Sequence, residues 1–227
     1  MIATEQHIAD EIRRLRATLP DGVTLVAVSK FHPAAAVAAA YAAGQRAFGE
    51  SRVQELAAKQ QAGLPSDIQW HFIGHLQTNK VRRLIECRPA LIESIDSERI
   101  LRAVDVESAR QGTVTRVLMQ VHVAAEETKT GFTPDELLGY FSRRAFEGLR
   151  ATHICGLMGM ASNTGDMARV GADFAAIAAL RDSILSLCPD LRGFDALSMG
   201  MSHDYPLAVA AGASIVRIGS AIFGDRI

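Results

Sequence analysis

The chain has 227 residues, 24 basic and 25 acidic side chains for a formal net charge of −1, and 48% hydrophobic composition. That even balance excludes a basic nucleic-acid face and an acidic tail, and no apolar run is long enough to cross a bilayer. Cys87, Cys155 and Cys188 lie far apart with no C-x-x-C pair, which points to a reducing compartment, the cytoplasm, rather than a disulfide frame or zinc site.

The residues Met1 to His7 are polar and lack a signal-peptide core. Glu5 to Leu19 reads as an amphipathic helix ended by Pro20-Asp21-Gly22. Val23 to Lys30 is a short apolar run rich in β-branched residues, the pattern of a strand buried on both faces. Pro33 opens an alanine-rich helix that ends at Gly44. Arg46 to Glu50 is a second strand, and Ser51 is a suitable N-cap for a helix through Gln61. Gln69 to Gly74 is a third strand, followed by a helix from Gln77 to Cys87. Ala90 to Ile95 is a fourth, and Asp96 or Ser97 caps the helix after it. Arg116 to Val123 is a fifth, and Thr133-Pro134-Asp135-Glu136 starts a helix. Ile154 to Met160, Ala196 to Met201 and Ser214 to Gly219 complete the strands. A long helix to Leu187 and a short one from Asp204-Tyr205-Pro206 to Gly212 separate them.

Eight strands alternating with helices predict an α/β chain forming a single (β/α)8 TIM barrel over 1–227, with an extra N-terminal helix within 1–20 on its lower rim or flank. The alternative is an open doubly wound sheet, which usually needs fewer strands.

Ligands bind at the carboxyl ends of strands in such folds, and Lys30 closes the first strand. An ammonium that loses hydration there has a lowered pKa, and the neutral amine can form a Schiff base with an aldehyde. On position alone, a lysine snorkelling to solvent is the favoured reading, and the rest of the chain has to overturn it. The seventh and eighth strands each end in a glycine and a serine, Gly200 with Ser202 and Gly219 with Ser220. Glycine permits close approach to the backbone, and free N–H groups there can cradle an anion where barrels often bind phosphate. Tight turns with capping serines are the alternative. Arg217, two residues before Gly219, points to the same side, toward a ligand or a buried partner acid. His71 and His75 are a poor metal pair with no third ligand nearby, so no metal is expected. Glu126 to Gly131 is a lid or a solvated loop. Met158, Met160, Met199 and Met201 read as barrel packing.

One ordered set of motifs runs from Leu25 to Gly224. It comprises Ala27-Val28-Ser29-Lys30, Phe48-Gly49-Glu50, Trp70 to Gly74 with Leu76-Gln77 and Asn79-Lys80, Lys129-x-Gly131, and Gly156-Leu157-Met158. Ser198 to Ser202 with Asp204, and Val216 to Gly219 with Ala221 to Gly224, complete it. The set resembles that of the pyridoxal phosphate homeostasis proteins. The resemblance implies a single barrel similar to the N-terminal domain of alanine racemase. It implies that pyridoxal 5′-phosphate forms an internal aldimine with Lys30. Ser202, Gly219 and Ser220 would hold its phosphate, and Arg217 would face its pyridine nitrogen. Ser51 stands where the family usually has asparagine, near the cofactor. Phe31 replaces a usual threonine, His32 a frequent second basic residue, and His75 a proline.

The function implied is binding, protecting and delivering the cofactor in the cytoplasm, with apo pyridoxal-phosphate enzymes as partners and no catalytic residue assigned. A monomer is expected, because no large apolar surface helix demands a partner. An arginine at the ring nitrogen would make the cofactor a weak electron sink. A pyridoxal-phosphate-dependent amino-acid racemase is the alternative, and a cofactor-free Schiff-base aldolase a third reading.

Overall fold

The computed structural model describes residues 3–123 and 130–224. Eight parallel strands close in sequence order into a barrel: β1 Thr24–Val28, β2 Ala47–Glu50, β3 Gln69–Phe72, β4 Leu91–Ile95, β5 Thr115–Val121, β6 Thr152–Gly159, β7 Ala196–Ser198 and β8 Ile215–Ile218. The closing ladder sets Val26 opposite Arg217 and Ala27 opposite Ile218, which rules out the open sheet. The helices are α1 Glu5–Thr18, α2 Ala34–Ala42, α3 Val53–Gln60, α4 Thr78–Glu86, α5 Glu98–Arg110, α6 Pro134–Ser142, α7 Met167–Leu187, α8 Tyr205–Ala210 and α9 Ser220–Phe223.

Two apolar layers hold the barrel. The outer one lies between helices and strands and includes Phe48, Leu56, Phe72, Leu101, Phe141 and Phe174. The inner one is small: Val26, Ala47, Leu91, Leu118, Cys155, Met158 and Ile215 fill the lower barrel. α1 presents Ile8, Ile12 and Leu15 from one face and packs on α2 and α9, so it lies on the flank.

The local chemistry explains most boundaries. Thr4 caps α1 by accepting the His7 N–H, and Ser97, not Asp96, caps α5 by accepting the Ile100 N–H. Thr133 and Glu136 form a reciprocal capping box at α6.

Several boundaries differ from the sequence reading. β1 stops at Val28, because Ser29 begins a tight turn in which its carbonyl accepts the His32 N–H at 3.0 Å. β7 stops at Ser198, although the Met199 N–H and the Gly200 carbonyl still bond β8, and Gly200 packs against α8. Ser51 does not cap α3; Arg52 occupies that position, and the chain at Ser51 is still held along β3, with the Glu50 carbonyl accepting the Ile73 N–H. The sequence reading missed α9 and a 3-10 turn at Ala145–Gly148, both of four residues and too short to show a period. The expected loop residues Glu126 to Lys129 lie outside the described residues.

Candidate functional site

In the lower barrel the inward positions are apolar. One inward step further along, Ala47 gives way to Gly49, Leu91 to Glu93, Leu118 to Gln120, Ala196 to Ser198 and Ile215 to Arg217. This polar layer is a floor, and above it the strand ends enclose a cavity of about 250 Å³. That is near the small end of ligand pockets, about 300–1,000 Å³, and suits a small molecule.

Lys30, Ser202, Arg217, Gly219 and Ser220 line this one cavity. Lys30 is half-buried and occupies the second position of the Ser29–His32 turn, two residues beyond the last strand residue. The Ser220 and Ser202 hydroxyls are 3.2 Å apart, from the loops after β8 and β7. Gly219 lies between them and the end of β1; a Cβ there would press on the Val28 carbonyl oxygen at 3.2 Å and Val28 Cβ at 3.3 Å. Gly200, whose carbonyl accepts the Arg217 N–H at 3.0 Å, lies beside β8 with φ +91°, where a Cβ would stand 2.6 Å from Ala208 Cβ. Ser51 does not line the cavity; its backbone packs against Gly74, just past the end of β3.

Arg217 has the buried partner acid expected of it and also lines the cavity. Nη1 donates to Ser198 Oγ at 2.5 Å and lies 3.7 Å from Glu93 Oε2, while Nη2 donates to the Gly159 carbonyl at 2.9 Å. Glu93 also accepts from Ser198 Oγ at 2.5 Å and pairs with His71 Nδ1 at 2.6 Å. Burial alone would raise the Glu93 carboxyl. The hydrogen bond and charge of His71, then Arg217 and Ser198, hold it below the usual carboxylate range. The guanidinium is therefore held in one orientation by two hydrogen bonds toward the interior and the Glu93 charge.

Sequence reasoning missed His71, Glu93 and Ser198. The available signal was an acid inside the apolar run Leu91-Ile92-Glu93-Ser94-Ile95, which an all-apolar barrel interior does not explain. His32 and His203 also line the cavity. The His32 ring stacks on Phe223 with centroids 5.2 Å apart, and burial, with the Lys59 charge, pushes its pKa down. It therefore stands beside Lys30 as a neutral group. Met160 and Met201 line the mouth, Met158 lines it from the core, and Met199 is wholly core. His71 and His75 take separate acids, Glu93 and Asp96. Among the described residues no group of three His, Cys, Asp or Glu side chains could hold a metal ion. Nor is any helix among them long and apolar enough to cross a membrane. A hollow of about 300 Å³ at the opposite barrel end, beside Arg16 and Gln45, contains none of the candidate residues.

The alanine racemase N-terminal domain family model matches residues 4–227. The chain is 39% identical to the pyridoxal phosphate homeostasis protein of Pseudomonas aeruginosa, over 100% of this chain and 97% of that one. It is 38% identical to the protein of the same name from Schizosaccharomyces pombe, over 90% and 84%. PipY of Synechococcus elongatus, solved with pyridoxal phosphate (PLP) bound, superposes with a TM-score of 0.88 at 40% identity, covering 96% of this chain and all of that one. Its structure without PLP gives a TM-score of 0.90. Alanine racemase of E. faecalis, 18% identical with a TM-score of 0.70, shares the fold.

Proposed function

The chain belongs to the family of pyridoxal phosphate homeostasis proteins, and from that membership we propose that it binds pyridoxal 5′-phosphate, keeps it sequestered, and releases it to apo enzymes. The observation that carries this is the meeting of one lysine and one small glycine–serine cradle in a single cavity. The cavity's chemistry fits the group. Ser202, Gly219 and Ser220 offer hydroxyls and approachable backbone to a phosphate. Lys30 offers an amine to an aldehyde, with a neutral histidine beside it. Arg217 offers a fixed charged donor on the floor. The finer reading is a covalent imine on Lys30, with Arg217 facing the ring nitrogen. Ser51 is left out of the contact set, since it packs outside the cavity.

The bound cofactor would bring an aldehyde and an electron-accepting ring. The protein's own groups limit what that ring can do. Arg217 is a donor held by Ser198, Gly159 and Glu93, so it can donate to an unprotonated pyridine nitrogen but cannot accept a hydrogen bond from a protonated one. An unprotonated ring is a weak electron sink, which disfavours racemisation and favours a carrier. The protein works in this reading as one cytoplasmic unit, a monomer.

The test is cofactor transfer. Protein loaded with pyridoxal phosphate is mixed with an apo pyridoxal-phosphate enzyme, and recovery of that enzyme's activity is followed beside a free-cofactor control. Recovery while the free pool is trapped by a scavenging amine supports the carrier. Recovery that vanishes with the scavenger refutes delivery and leaves binding alone.

A further inference from the structure

Lys30 sits in a turn that its own sequence does not favour. Phe31, at the third position, has φ +69°. Turns with that geometry normally place glycine or asparagine there, and a bulky aromatic resists it. The backbone is held from outside the barrel. Lys59 Nζ donates to the Ser29 carbonyl at 2.7 Å, and Ser29 Oγ donates to Glu50 Oε1 at 2.6 Å. Glu55 Oε1 accepts the Phe31 N–H at 2.6 Å, and the Arg52 guanidinium lies 4.9 Å from the centre of the Phe31 ring. The three charged groups are joined, with Lys59 Nζ 2.6 Å from Glu50 Oε1 and 3.0 Å from Glu55 Oε1.

Glu50 is the last residue of β2, and Glu55 and Lys59 are four apart on α3. Their contacts therefore grip both neighbours of Lys30, Ser29 and Phe31, without entering the cavity. Lys59 and Glu50 are buried, with side-chain exposures of 6% and 0%. A buried ion pair contributes little to stability relative to an apolar pair of similar size. Its use here is geometric. The three Lys59 donors go to three acceptors, the Ser29 carbonyl, Glu50 Oε1 and Glu55 Oε1, which pins the side chain in place outside the cavity.

We propose that Glu50, Glu55 and Lys59 are positioning residues that fix the strained Lys30 turn and so aim its amine for covalent capture of the cofactor's aldehyde. This rests on the binding reading above. In the captured step the Lys30 nitrogen lone pair forms the new bond to the aldehyde carbon. The aldehyde oxygen leaves as water with the two amine hydrogens, and no oxidant or reductant is required.

The experiment compares two ligands on the full-length protein. Pyridoxal 5′-phosphate can be captured; pyridoxine 5′-phosphate keeps ring and phosphate but carries an alcohol in place of the aldehyde. The variants are Glu55→Ala, Lys59→Met, and Lys59→Met combined with Glu50→Gln. Glu55 is partly exposed, so its variant carries the test if the buried ones fail to fold. The rate of imine absorbance should fall about 10- to 100-fold in folded variants, as for other small misplacements of a reacting group. Affinity for pyridoxine phosphate should stay within about threefold, under 1 kcal/mol. Equal losses for both ligands, or an unchanged capture rate in folded Glu55→Ala, would overturn the proposal. Unmutated protein that binds pyridoxine phosphate but captures no aldehyde would overturn it while leaving the binding reading intact. Unmutated protein that binds neither ligand would overturn both.

Discussion

Gly219 and Glu93 show how single residues divide the work of the site. Gly219 is pressed against Val28, so Gly219→Val must push the cradle away from β1. Affinity for pyridoxal 5′-phosphate should drop at least about tenfold, and affinity for pyridoxal much less, since only the phosphate uses the cradle. Equal losses in calorimetric titrations would argue against it. Glu93 makes a pH prediction. Its folded-state pKa lies below its ordinary value, so its stabilisation is complete above the unfolded pKa and is lost as pH falls through the folded one. As pH falls below about 4.3, where the unfolded carboxyl begins to take up its proton, denaturant titrations should show Glu93→Gln losing less stability than the unmodified chain. Parallel losses would mean that the His71–Glu93–Arg217 network carries no such linkage. Lys30, Ser202, Arg217, Gly219 and Ser220 were legible because each falls at or just past a strand end. The partners of Arg217 were not, because which inward residues meet across a barrel depends on strand stagger, which no local pattern encodes.

At the scale of elements, periodicity and capping chemistry placed all eight strands and most helices, and erred at ends. Apolar character continues past Val28 and Ser198, while regular strand gives way to isolated bonds, from the Ser29 N–H to the Gly49 carbonyl and from the Met199 N–H to the Ile215 carbonyl. The turn at Ser29–His32 is closed by residues of β2 and α3, far from it in sequence, so the apolar run to Lys30 reads as strand. Ser51 is a good N-cap by type, yet Arg52 takes the position without any side-chain cap. Where the cap did form, its strength is testable. Thr133→Ala removes the acceptor for the Glu136 N–H in a complete capping box and should cost about 1 kcal/mol in denaturant unfolding. A change near zero would mean that α6 is held by Leu137, Tyr140 and Phe141 packing alone.

At the scale of the whole molecule, the chain is a barrel whose lower half is an apolar plug and whose upper half is a small vessel with a polar floor and walls that include Val28, Ile73 and Met160. If the guanidinium on its floor faces the ring nitrogen as proposed, it opposes carbanion chemistry, and amino-acid racemisation by the loaded protein should run below about 1 per second, the lower edge of ordinary enzyme turnover. Robust racemisation abolished in Lys30→Ala would favour the racemase over the carrier. The central claim is that one amine, that of Lys30, captures the cofactor. The chain has only four lysines, Lys30, Lys59, Lys80 and Lys129, which makes the claim sharp. The direct measurement is borohydride reduction of the loaded protein, followed by peptide mapping of the adduct. The account predicts a single adduct on Lys30, and loss of the visible imine band in a folded Lys30→Ala variant; an adduct on Lys59, Lys80 or Lys129 in the unmodified chain, or an undiminished band in the variant, would contradict it.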